Sequence, residues 1–296
     1  MNLIQSIIMG IVQGIAEFLP ISSSGHLAIA KQVLDINTDT GLLFDVLLHI
    51  GTLIAIFVAF WKDIKELIVN GFQIIGIFFA NIGRMFVNVF CKITGSIKRT
   101  EYSKIITTPY RRFVMLVIVS TIPTGIIGVL FKDSIEKASE TLLIPGLCLI
   151  LTGVLLIIAD SIKPGKKTEE NATYKNATFI GIAQGIATLP GLSRSGTTIT
   201  ACIAAGFDRS FAVKYSFIMS IPAILGALVL QLFDFSMNTV STSELINYFV
   251  GMVVAAVIGY VSIKTMLVIV RGKKFKYFAY YCFVIGIFAV VANFVI

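Results

Sequence analysis

The sequence is short of charge. Asp, Glu, Lys and Arg make up 14% of its 296 residues, against about 25% in soluble domains. So few charges cannot clothe a soluble exterior. A hydrophobic content of 56% and a mean hydropathy of +0.91 place the chain among integral membrane proteins. Its opening, "MNLIQSIIMG", lacks the basic stretch that precedes the apolar core of a removable signal peptide. Cysteine is scarce as well. Cys91, Cys148, Cys202 and Cys282 are scattered without a CxxC pair, which argues against a disulfide framework or a thiolate metal site. Two histidines, His26 and His49, do not make a zinc set. The net charge of +8 has no soluble basic domain to carry it to nucleic acid, so no nucleic-acid partner is expected. The positive residues lie between apolar runs, where orientation in the bilayer accounts for them.

What the sequence has in quantity is long apolar runs. Six read as spans, at about 42–61, 112–131, 141–162, 211–233, 245–270 and 276–296. Residues 70–94 are apolar but interrupted by Asn81, Arg84 and Asn88. They either span or lie in the membrane interface as an amphipathic helix. Two further apolar segments, 1–33 and 177–206, are broken midway by "LPISSSG" and "LPGLSRSG". Pro, Gly and Ser there interrupt a helix, and irregular backbone at membrane depth survives only inside protein or against a cavity. The connections at 62–111, 163–176 and 271–276 carry the basic residues, among them Lys62, Lys98, Arg99, Arg111, Arg112, Lys167, Arg271 and Lys273. The connections at 132–140 and 234–244 hold only Lys132 and Lys137. If 70–94 does not cross and both broken segments turn back, every basic loop falls on one side. The expectation is an all-α polytopic membrane protein with six transmembrane helices and two re-entrant helical hairpins, in one domain, 1–296.

The two breaks are related. At an offset of 171 residues, Gly10, Gln13, Gly14, Ala16, Ser22, Ser24 and Gly25 match Gly181, Gln184, Gly185, Ala187, Ser193, Ser195 and Gly196. The repeats cover about 1–160, with an insertion near 68–110, and about 177–296. Broken hairpins entering from opposite faces are the mark of an inverted-topology repeat, with a polar site where they meet.

That site is where the costly residues gather. Ionisable groups inside membrane segments are functional candidates, and Glu17, His26 and Arg194 all fall at the breaks. Gln13 and Glu17, four apart, share a helix face. "SSSGH" and "SRSGTT" each resemble a helix start, where free N–H groups and positive partial charge suit phosphate. Arg194 adds a planar fork for phosphate oxygens. The pocket also holds parts for hydrolysis. Ser23, another serine of the run, or His26 could attack phosphorus. Glu17 could serve as general base or hold a divalent cation, and His26 could instead move a proton. The plainer readings stand beside these. Ser22, Ser24 and Ser195 can simply bond backbone, and Glu17 can pair with Arg194 structurally. Pro190 and Gly191 make a turn, and Asp160 reads as a helix-end residue. Asp45 and His49 lie near or inside a span.

"QGIAEFLPISSSGH" (13–26) and "PGLSRSGTT" (190–198) closely resemble the two signature motifs of the undecaprenyl-diphosphate phosphatase, or bacitracin-resistance, family. The resemblance covers nearly the whole chain apart from about 68–110. It implies six spanning helices with two re-entrant hairpins, and removal of the terminal phosphate of undecaprenyl diphosphate to give undecaprenyl phosphate, the lipid carrier of envelope glycans. It further implies a site of Glu17, Ser23, His26, Ser193, Arg194 and Thr198, with Ser195 in the same motif, and a divalent cation, Mg2+ or Ca2+, for which Glu17 is the ligand. It implies a bacterial cell membrane location with the site toward the outer face. Many members carry Glu at the position of Gln13. An amide is the poorer metal ligand, so Gln13 reads as a substrate contact. Lys31 and Lys214 are candidates for holding lipid charge at the mouth. The alternative is a secondary transporter or flippase for a polyprenyl phosphate, which needs the anion pocket but no nucleophile. The oligomeric state, a homodimer included, is left open.

Overall fold

The computed structural model describes all residues except 35, 37–40, 95–99, 139–140, 164, 234–240, 273 and 296. Lys98, Arg99 and Lys273 therefore lie outside the described residues. Among the described residues the regular structure is helical apart from an isolated bridge between Lys167 and Phe207, with turns and extended connections between the helices. Its helices are α1 (Leu3–Ala16), α2 (Ser23–Val33), α3 (Gly41–Ala59), α4 (Trp61–Ile93), α5 (Pro109–Leu130), α6 (Lys132–Ala138), α7 (Leu143–Ser161), α8 (Tyr174–Ile186), α9 (Arg194–Ala204), α10 (Arg209–Phe233), α11 (Thr242–Arg271) and α12 (Phe275–Val295).

Six of them, α4, α5, α7, α10, α11 and α12, are long and apolar enough to cross a membrane. The protein is a multi-pass membrane protein. The set differs from the sequence expectation in one member. The span expected at 42–61 is α3, which has 19 residues, still within the roughly 17–25 that a crossing needs. The ambiguous stretch 70–94 lies in α4, one continuous helix of 33 residues. Asn81, Arg84 and Asn88 do not break it, because they fall on one side of it.

Polar contacts sort the helix ends into two groups. At one end Lys214 pairs with Asp63 at 3.0 Å, Arg112 donates to Ala172 O, Arg271 to Ser210 and the Lys276 amide to Asp160. The starts of α4, α5, α10 and α12 and the ends of α7 and α11 thus share this basic end. At the other, the Met1 ammonium pairs with Glu244 at the start of α11. Gln5 Nε2 donates to Leu34 O at 3.0 Å, so the start of α1 lies beside the end of α2. Lys167 reaches both Asn176 and Ala205 O, so the start of α8 lies beside the end of α9, at the basic end.

Helix packing rests on small residues that let backbones approach, the usual solution where lipid offers no hydrophobic drive between helices. α1 packs along α11, and α8 along α5. A Cβ at Gly14 would sit 2.9 Å from Ala255 O and from Gly259 N; one at Gly185, its repeat mate, would sit 2.8 Å from Ile127 Cβ. Gly181 meets Ser120 O and Pro123 in the same way. Gly226, on α10, faces open space. Gly181→Ala should therefore lower stability by about 1–3 kcal/mol, while Gly226→Ala should leave it unchanged or slightly raised, since alanine is the better helix former. Thermal unfolding of the two variants in the same detergent checks this.

Candidate active site

The site begins where α1 stops. Glu17 caps its C-terminus, and Pro20, without an N–H, prevents the helix from resuming at once. Ser22 takes a left-handed φ of 70°, a strained conformation for a residue with a side chain, and α2 starts at Ser23. The second break follows the same plan. Pro190 and Gly191 turn the chain, with Gly191 at φ 84°. A Cβ there would fall 2.5 Å from Pro145 Cα, so glycine is required twice over. Ser193 then caps α9, its Oγ accepting from the Gly196 N–H at 3.1 Å.

The two breaks dock on each other. The Gly191 N–H donates to Ser24 Oγ at 3.3 Å, and Ser195 Oγ donates to Leu19 O at 3.4 Å. This brings Arg194 onto Glu17, Nη2 donating to Oε1. The other carboxylate oxygen accepts from Ser23 Oγ at 2.6 Å and from Gln13 Nε2 at 3.2 Å. Gln13 Nε2 also reaches His49 Nδ1 on α3 at 3.2 Å. Because the amide nitrogen only donates, that ring nitrogen accepts, and a neutral His49 carries its proton on Nε2. The Glu17 side chain is 4% exposed and Arg194 22%, so the guanidinium is the more accessible partner.

A cavity of about 260 Å³ opens over this cluster. Its polar wall includes Glu17, the serines 22–24, His49, Ser193 and Arg194, so that the N-termini of α2 and α9 both border it. Its apolar wall is Ala223, Ile224, Ala227 and Leu228 of α10. An amphiphile is what such a cavity accommodates: charge on the broken helices, hydrocarbon on α10.

Glu17, Ser23, Ser193 and Arg194 converge as the sequence reading expected. His26 is placed elsewhere. Its Nδ1–H donates to Ser22 O at 2.8 Å, its Nε2 accepts from Tyr281 O–H at 2.6 Å, and its ring stacks on Tyr281; it does not line the cavity. Gln13 is fully buried behind Glu17, positioning the carboxylate rather than facing the cavity. Ser195 and Thr198 also stand behind the wall, Thr198 Oγ1 donating to Arg194 O at 2.8 Å and meeting Ser216 Oγ at 2.5 Å. Lys31 and Lys214 are held by Asp45, at 2.5 Å, and Asp63, at 3.0 Å, away from the cavity. The sequence reading places His49 near or inside a span without giving it a role, and it does not mention Tyr281. The first carried a signal, an imidazole inside an apolar helix; the second, one of several aromatics on α12, carried none.

For a divalent cation, Glu17 is the one carboxylate on the cavity wall among the described residues, and no group of three or more metal-ligating side chains stands together among them. The buried amide oxygen of Gln184, on the cavity wall, has no hydrogen-bond partner among the described residues. One carboxylate among neutral oxygens suits a hard cation that takes its remaining ligands from substrate phosphates, the habit of Mg2+. The residues fit a cation shared with a diphosphate.

The family model described as "Bacitracin resistance protein BacA" matches residues 6–288. The chain belongs to this family. Curated relatives called "Undecaprenyl-diphosphatase" run its full length. That of Methanosphaera stadtmanae is 42% identical over 296 residues, covering 100% of both chains. That of Methanobrevibacter smithii is 41% identical over 288 residues, 97% of this chain and 96% of its own. That of Halothermothrix orenii is 36% identical over 291 residues, 98% of each. Both breaks lie within the matched family region.

If the docked breaks depend on the Glu17–Arg194 pair, the two positions must be energetically coupled. Glu17→Ala and Arg194→Ala should each destabilise, and the double variant should be destabilised by less than the sum of the two, the shortfall being a coupling of about 1–3 kcal/mol. A double-mutant cycle by denaturant unfolding in detergent measures it.

Proposed function

We propose that the protein hydrolyses undecaprenyl diphosphate to undecaprenyl phosphate and inorganic phosphate, recycling the lipid carrier of envelope glycans in the cell membrane. The observation that carries this is the Ser23–Glu17 hydrogen bond at 2.6 Å, within reach of Arg194 and against an apolar wall. The names of the full-length relatives point the same way.

In this reading the terminal phosphate draws Arg194 from Glu17, because a phosphate offers the guanidinium more charge and a matching pair of oxygens. The α9 N-terminus at Ser193 and Arg194 holds the same phosphate. Glu17, relieved of its cation, takes the Ser23 proton as Ser23 Oγ attacks phosphorus. As the bond from that phosphorus to the bridging oxygen breaks, Glu17 gives the proton to that oxygen and undecaprenyl phosphate leaves. Water then attacks the phosphoserine and loses a proton to the regenerated Glu17 carboxylate; the bond from phosphorus to Ser23 Oγ breaks, Glu17 returns the proton to Oγ, and inorganic phosphate leaves. A divalent cation held by Glu17 and the diphosphate oxygens would neutralise charge developing on them. His26, bonded to Ser22 O and Tyr281, steadies the start of α2 on which Ser23 sits.

The paired ends of α1 and α2, and of α8 and α9, support re-entrant hairpins entering from opposite faces. With the basic end cytoplasmic, the cavity faces outward. Its wall residues Thr124, Ala223 and Leu228 lie roughly 21–28 Å along helices that start at the basic end. A carrier for lipid phosphates would use the same anion grip, but it has no need of a hydroxyl bonded to the carboxylate.

Phosphate release from undecaprenyl diphosphate by the purified protein tests the reading. We expect cation-dependent release, reduced about 10²–10³-fold in Arg194→Ala and to background in Ser23→Ala, with a smaller loss in His26→Gln. Loss in His26→Gln as complete as in Ser23→Ala, with phosphate trapped on histidine in the wild type, would overturn the serine assignment. No release from folded, monodisperse protein with any cation would favour the carrier.

A further inference from the structure

α4 stands apart from the rest of the bundle. At 33 residues it is roughly 50 Å long, and only its first turns are anchored, through Asp63 to Tyr110 and Lys214 and through Gln73 to Arg111. Beyond that, residues 100–108 run back along it in extended form. The Thr100 amide donates to Asn88 Oδ1 at 2.8 Å and the Ser103 amide to Asn81 Oδ1 at 2.9 Å. Thr108 Oγ1 donates to Asn70 Oδ1 at 3.1 Å. Asn70, Gln73, Asn81, Arg84 and Asn88 recur at helical spacing, so one polar stripe is covered by the returning chain. The opposite face is bare: Phe72, Phe79, Phe86 and Phe90 are 70%, 64%, 65% and 66% exposed.

This geometry decides between the two options that the sequence left open. The excursion leaves and re-enters the bundle at the same, basic end. If α4 crossed the bilayer, residues 100–108 would have to recross it as extended backbone carrying Glu101 and Lys104. Hydrocarbon does not tolerate that. We infer that α4 is an interfacial helix lying in the plane of the membrane surface at the basic end, its phenylalanine face in the acyl boundary and its return strand in water. The occupant of the bare face is lipid. Its charges favour an anionic surface, since Lys62, Lys65, Arg84, Lys92 and Lys104 outnumber Asp63, Glu66 and Glu101. The inference rests on the chain being a membrane protein, not on its chemistry.

Depth measurement on the full-length protein tests it. Spin labels are placed singly at Phe72→Cys, Phe79→Cys, Phe86→Cys and Phe90→Cys, and at Tyr102→Cys on the return strand, each with Cys91→Ser. The proteins are reconstituted in vesicles of mixed phosphatidylcholine and phosphatidylglycerol, and accessibility to oxygen and to an aqueous nickel complex is compared. The four helix labels should share one shallow depth, about 5–10 Å into the headgroup–acyl boundary, with the Tyr102 label in water. Depths that run through the bilayer centre from 72 to 90 would overturn the inference in favour of a span. Labels shielded from both reagents and dipolar-coupled between molecules would overturn it in favour of a second copy. Helix labels wholly in water would overturn it too. Four independent positions ensure that one misfolded variant does not decide the matter.

Discussion

Glu17 and Arg194 come from helix breaks 177 residues apart in sequence, and their contact is what closes the site. Neither charge has a reason to be at membrane depth without the other, since an isolated ion there is expensive. Paired, they hold the tip of one broken segment against the tip of the second. The bonds from Gly191 to Ser24 and from Ser195 to Leu19 then find their partners in reach. Ser23 gains its hydrogen bond to the carboxylate from the same arrangement. The guanidinium is the member of the pair left partly accessible, so in the proposed mechanism it is the one for which an incoming phosphate would compete.

The correspondence between the two broken segments at an offset of 171 residues shows how unequal the two sides of the site are. At the common offset, Ser23 corresponds to Arg194, Glu17 to Thr188 and His26 to Thr197, whereas Gln13 corresponds to Gln184 and Gly14 to Gly185. The residues that pack the hairpins are shared, and those that carry chemistry have diverged. One break supplies carboxylate and hydroxyl, the other a cation and a capped helix start. Close packing of α1 on α11 and of α8 on α5, through glycines at matching positions, sets both tips at depths where they meet. α10 contributes no charge to the cavity, only an apolar wall, which gives the site its two-sided character.

Much of this was legible in the sequence because the signals were local. Apolar runs marked the long helices, the Pro-Gly-Ser clusters marked the breaks, and Ser193 was recognisable as a helix cap. Glu17 and Arg194 were legible as parts of one site because both fall at the related breaks, while their direct pairing was only one of the plainer readings. What was not legible depended on which helix lies beside which. His49 joins the site because α3 passes Gln13, and no motif announces that contact. His26 sits in the same motif as Ser23, yet Tyr281 of α12 holds its ring outside the cavity. Lys31 and Lys214 looked like anion ligands until their acidic partners, Asp45 and Asp63, arrived from other helices. Asn81, Arg84 and Asn88 looked like interruptions of a span, although their spacing of three and four is that of one helix face.

The claim that the Glu17–Arg194 pair is a latch opened by phosphate has a direct test in binding. The affinity of a methylene-bridged, non-hydrolysable analogue of the lipid diphosphate is measured for the wild type and for Glu17→Gln, both without divalent cation. If Glu17 competes with phosphate for Arg194, the neutral variant should bind the analogue roughly 5- to 10-fold more tightly, a gain of about 1–1.4 kcal/mol. Equal or weaker binding by Glu17→Gln would contradict the account, because the carboxylate would then be helping to hold the diphosphate rather than yielding Arg194 to it.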